Sequence, residues 1–146
     1  MKGEEFCGLV EIRDYDEYLE LLEAVRPFTS YIAIVQIDGY DPDDIVMLEA
    51  DATMECVGRY RTNKWPGTRT RGMRAQLHMY KAGRDFFDWL KDGDAFFYNS
   101  RDEYGCDVVE RTDFGLDDIV FLDKEQEVMM YTTTHEGIIC INEELI

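Results

Sequence analysis

Residues 31–37 read YIAIVQI. The run is nearly all apolar and rich in β-branched side chains, which is the composition of a central strand covered on both faces. The segments around it supply its neighbours. Residues 52–61 alternate, with Ala52, Met54, Cys56, Gly58 and Tyr60 on one side and Thr53, Glu55, Val57, Arg59 and Arg61 on the other. Residues 73–81 alternate again, Met73, Ala75, Leu77 and Met79 opposing Arg74, Gln76, His78 and Tyr80. NKWPG at residues 63–67 breaks the chain between them. The spacing predicts a long β-hairpin, or two adjacent strands joined by a basic loop.

Upstream, residues 6–12 read as a first strand in which Phe6, Gly8 and Val10 alternate with Cys7, Leu9 and Glu11. Asp14 followed by Glu17 has capping-box spacing, and Tyr15, Tyr18, Leu19, Leu22 and Val25 form one apolar face. That helix runs over residues 14–26 and stops before Pro27, which disfavours helical backbone at Arg26. After the central strand, Asp41 is an acceptable cap with Pro42 at the first helical position. Residues 42–49 therefore fit one or two helical turns, and a short strand at 45–48 is the alternative. Downstream, the pattern predicts a short helix at 84–91 and strands at 94–99, 106–110 and 119–122. A closing hairpin of 127–133 and 138–142 turns at His135, Glu136 and Gly137.

The string DDIVML at residues 43–48 returns as DDIVFL at 117–122. Because strand, helix, strand and DDIV follow in the same order in both halves, the sequence admits an internal pseudo-two-fold duplication. The fold class expected is α+β over one compact domain, residues 1–146. It comprises a bent, mainly antiparallel sheet of six to eight strands, with one medium and one short helix on one face.

Charge is the strongest functional signal. The chain carries 32 Asp and Glu against 15 Lys and Arg, a formal charge of -17, and eight of those 15 bases lie in residues 59–84 with no carboxylate among them. A field of that sign repels nucleic acid and draws in cationic partners. No apolar run is long enough to span a bilayer, and the first residues lack the apolar stretch of a signal peptide. Cys7, Cys56, Cys106 and Cys140 form no CxxC, and each sits in or beside an apolar run. They read as buried free thiols in a reducing compartment, hence a cytoplasmic protein.

Catalytic signatures are absent. The chain contains no GxSxG, GxGxxG or GxxxxGK[ST], and DGYDPDD at 38–44 lacks the spacing of a calcium loop. Adjacent carboxylates such as Asp43 with Asp44, or Asp117 with Asp118, point to opposite faces of a strand, so neither pair offers two ligands to one cleft. No metal and no cofactor is expected. His78, on the polar side of its strand, and His135, beside Glu136 and Thr132 to Thr134, are the ordinary candidates for a general base.

These readings favour a non-enzymatic acidic protein-binding module, of the inhibitor or immunity type, that masks a basic partner such as a nuclease or toxin. Asp41, Asp43, Asp44, Asp117, Asp118 and Trp65 are its expected contacts. Two alternatives remain. One is a nucleic-acid-associated protein gripping phosphates with Arg59, Arg61, Lys64, Arg69, Arg71 and Arg74. The other is a small hydrolase using His135 with nearby carboxylates. The acidic body and basic hairpin also admit a salt-sensitive homodimer.

Overall fold

The computed structural model describes residues 7–37, 41, 43–142 and 144. The expected strand start at Phe6, the turn residues 38–40 and Pro42 lie outside the described residues. In chain order the elements are β1 (Cys7–Val10), α1 (Tyr15–Val25), β2 (Tyr31–Ile37), α2 (Ile45–Thr53), β3 (Glu55–Thr62), β4 (Lys64–Trp65), β5 (Thr68–Arg69) and β6 (Ala75–Lys81). They continue with α3 (Arg84–Asp92), β7 (Phe97–Arg101), β8 (Asp107–Arg111), β9 (Asp118–Leu122), β10 (Val128–Thr133) and β11 (Ile138–Asn142). Seven strands form one antiparallel sheet in the order β1-β11-β10-β9-β2-β6-β3, and β4-β5 and β7-β8 form two small ribbons.

The fold is α+β, with β2 at the interior of the sheet between β9 and β6, buried over its five middle residues. Two adjacent antiparallel strands, β3 and β6, do form with the β4-β5 ribbon inside the basic connection, but the first starts at Glu55, because residues 52 and 53 end α2. Asp14 caps α1 by accepting from the Glu17 N–H at 2.9 Å, and the Glu17 carboxylate accepts in turn from the Arg13 N–H at 2.8 Å. That reciprocal arrangement fixes the first turn.

Three expectations are corrected. The described residues hold three α-helices rather than two, because residues 45–53 form α2. Its cap is Asp44, whose Oδ1 accepts from the Val46 N–H at 2.9 Å, and not Asp41, whose Oδ1 is taken by the Asp43 N–H at 2.9 Å. The echo does not mark equivalent units, because DDIVML enters a helix while DDIVFL forms the buried strand β9. Pairing with β2 and β10 decides the second copy, where the first has no strand neighbour. The reading of four buried free thiols also fails: Cys56 and Cys106 are free but exposed, while Cys140 is buried in a disulfide.

The helices pack on one face of the sheet. Ile32, Ile34, Ile119 and Phe121 point there from the central strands and meet Leu22, Val25, Met47, Phe86 and Phe87 from the helices. Phe96 joins the layers, edge-on to Tyr18 at 5.1 Å and to Phe114 at 5.2 Å between ring centroids. The Tyr18 hydroxyl reaches the Leu90 carbonyl at 2.7 Å, so its burial leaves no donor wasted.

Residues of opposite parity on the same strands, Ala33, Val35, Leu77, Val120 and Leu122, face the other way. Among the described residues, the β4-β5 ribbon and its turn cross that face. The turn fits because position 67 is glycine. With φ at +86, a Cβ there would lie 2.6 Å from both Thr133 Oγ1 and the Tyr131 ring.

Candidate functional site

Between the ribbon and the sheet lies a groove of about 860 Å³. Its floor crosses the sheet through Ala33, Leu77, Met79, Val120 and Leu122, and Trp65 forms its wall. Trp65 was expected at a partner-facing tip. It is instead 5% exposed, turned inward, with its indole N–H donating to Asp118 Oδ2 at 2.8 Å. Asp118 Oδ1 accepts from the Thr134 N–H at 2.8 Å. Burial pushes the Asp118 carboxyl up in pKa, while these donors hold it down. Thus Asp118 is spent on fixing the ribbon and the β10-β11 connection.

On the helix face, a polar seam runs beneath α2. Asp117 is buried beside Asp44, and burial, followed by the Asp44 carboxyl, pushes its pKa up to about 9. A carboxyl in that position stays protonated at neutral pH. Asp117 Oδ2 is buried and has no hydrogen-bond partner among the described residues. Asp44 Oδ2 accepts from Gln36 Nε2 at 3.3 Å, and Gln36 Oε1 meets His78 Nε2 at 2.9 Å. The Arg59 Nε–H donates to His78 Nδ1 at 2.9 Å, so His78 is the neutral tautomer with its proton on Nε2. Burial, then the Arg59 charge, holds its pKa down to about 4. Arg59 continues to the Asp51 carboxylate, which also accepts from the Tyr80 hydroxyl at 2.6 Å. The face of β6 read as polar is thus the underside of α2, with His78 and Tyr80 fully buried.

At the start of α2 the surface is acidic and apolar together. Asp41 and Asp43 are exposed, and so are Ile45 (45%) and Leu48 (54%). Next to Ile45 is a small pocket of about 80 Å³ lined by Trp89, Gly93, Asp94, Asp113 and Phe114. The two aromatic rings lie 5.6 Å apart, and neither carboxylate has an ion pair among the described residues. Two aromatic rings and two carboxylates lining one pocket make an environment that receives an ammonium or guanidinium group.

The expected site residues therefore separate. Asp41 and Asp43 are displayed, Asp44 caps α2, and Asp117 and Asp118 are buried and cannot be presented to a partner. The cations also disperse. Arg59 joins the seam, and Arg61 donates to the Met73 carbonyl at 2.7 Å. Lys64 and Arg69 border the groove, and Arg71 and Arg74 lie on the exposed connection to β6. His135 is exposed on a 3-10 turn, 3.7 Å from Glu136, and does not line either pocket described above.

Asp94, Asp113, Trp89 and Phe114 were not singled out by the sequence reading. They lie on the end of α3 and two loops, and no spacing in one dimension links them. Comparison with known protein families, with curated proteins and with solved structures finds no match.

Proposed function

We propose that this chain is a non-enzymatic acidic module of the inhibitor or immunity type, which binds a basic protein through the surface at the start of α2. The observation that carries the reading is the pocket that Asp94 and Asp113 line together with Trp89 and Phe114. A lysine or arginine side chain from the partner would place its charge between the carboxylates and its stem against the rings. Asp41 and Asp43 at the rim would speed the encounter, and Ile45 and Leu48 offer the apolar contact around it. The strongly shifted titrating groups, Asp117 and His78, are committed to the seam under α2, which supports a binding role over a catalytic one.

The test is capture from native-host lysate on the tagged full chain, at low and moderate salt, with nucleic acid assayed in parallel. A single basic protein in stoichiometric amount, lost from Asp94→Asn with Asp113→Asn, is the expected result. Undiminished recovery by that variant, or recovery of nucleic acid alone, would overturn the reading. A cytoplasmic site of action, expected from free thiols, is opposed by the Cys140 disulfide, since disulfides are rare there. Alkylation in fresh lysate without reductant checks this placement: a Cys140 thiol that is fully blocked by disulfide there argues against it. Gel filtration at two salt concentrations tests the homodimer, which requires a larger species that salt dissociates.

A further inference from the structure

The groove on the opposite face of the sheet has a different chemistry. Among the described residues no carboxylate lines it, although the chain as a whole carries -17. Lys64 and Arg69 stand at its border and are directly opposite one another across the β4-β5 pair. Like charges placed opposite in a ladder repel. Neither has an ion pair among the described residues, even in so acidic a protein. Beneath these groups the floor is aliphatic, and Tyr60 and Tyr131 flank it. A volume of about 860 Å³ lies within the roughly 300–1,000 Å³ typical of small-molecule sites.

We propose that this groove binds an amphipathic monoanion, an aliphatic or aryl carboxylic acid. Its apolar body lies on the floor of Leu77, Met79, Val120 and Leu122. Its carboxylate bridges Lys64 and Arg69 at the edge of the groove. The bridge removes the repulsion across the ribbon. The apolar body is indispensable, because the net charge of the protein repels a free anion, so affinity grows with chain length.

Titration of the full chain with decanoate tests this directly, read by calorimetry and by the fluorescence of Trp89→Phe, in which Trp65 is the remaining indole. A saturable 1:1 response is expected, weakened roughly tenfold in Lys64→Gln with Arg69→Gln. Butyrate, six methylenes shorter, should bind at least roughly 100-fold more weakly. Circular dichroism of the exposed double variant confirms that it is folded. No saturable response to decanoate would overturn the proposal. So would decylammonium shifting Trp65 equally, or undiminished binding by the double variant. Because the groove and the α2 pocket lie on opposite faces, failure here leaves the protein-binding reading standing, and the reverse also holds.

Discussion

Phe121 and Leu122 are neighbours on β9, yet they live in different environments. Phe121 points into the helix-covered core among Phe87 and Phe96, while Leu122 points to the face that the ribbon crosses and lines the groove. The first face has a full layer over it and consumes its polar groups in a seam under α2. The second is covered by four ladder residues, fixed by one indole-carboxylate bond and one glycine. The difference teaches where stability resides and where the fold leaves room. Closed packing holds the helix face together, and the open face keeps unpaired cations and empty volume.

The sharpest way to break that comparison is truncation of the two neighbours. Phe121→Ala should lose about 3–5 kcal/mol in denaturant unfolding. Leu122→Ala should lose only about 2 kcal/mol, since the groove beside it is already open to solvent. Equal losses would mean that the two faces are equally closed.

Next is the pin of the ribbon. Trp65→Phe keeps the ring but removes the donor to Asp118 Oδ2, leaving a buried carboxylate short of one bond. The expected loss is about 1–3 kcal/mol, with proteolysis appearing first within residues 63–70. Gly67→Ala should act in the same direction by roughly 1 kcal/mol, because the added Cβ collides with Tyr131 and Thr133.

The seam makes a pH prediction. Asp117 in the folded protein holds its proton up to about 9, whereas an ordinary Asp loses it near 3.8. Between those values the folded state binds the extra proton, so this group's contribution falls as pH rises. His78 works in the opposite sense: with its folded value held down to about 4 against 6.5, stability rises with pH across that interval. The two contributions oppose one another below 6.5, and Asp117 acts alone above it. Asp117→Asn should therefore stabilise the protein on the order of 1 kcal/mol at pH 8 and flatten the decline above 6.5. Thermal melts of both proteins across pH check this, and an unchanged slope would contradict it.

Much of the fold was legible because the decisive signals are local. The alternation in 73–81, the Asp14 and Glu17 pair, and the β-branched run at 31–37 each specify an element within a few residues. What could not be read depends on partners far away in the chain. The DDIV strings are the plainest case, helix entry in one and central strand in the other, since pairing with β2, far earlier in the chain, makes the second a central strand. His78 and Tyr80 read as a polar face because nothing in β6 announces that α2 lies over it, bonding through Gln36, Arg59 and Asp51. Trp65 looked like a tip because its carboxylate partner is 53 residues distant. At the candidate interface Asp41 and Asp43 were visible from charge, whereas Asp94 and Asp113 are brought together only by the packing of Trp89 on Phe114.

The most direct test of the account is the kinetics of the captured partner's complex, followed by surface association and dissociation at several salt concentrations. Asp94→Asn with Asp113→Asn should raise the dissociation rate roughly tenfold or more, because the partner's buried cation loses its carboxylates. Asp41→Asn with Asp43→Asn should mainly lower the association rate and its salt dependence. Lys64→Gln with Arg69→Gln, on the other face, should leave dissociation unchanged. Dissociation that is the same for the Asp94 and Asp113 variant as for the wild type would contradict the claim that this pocket grips the partner.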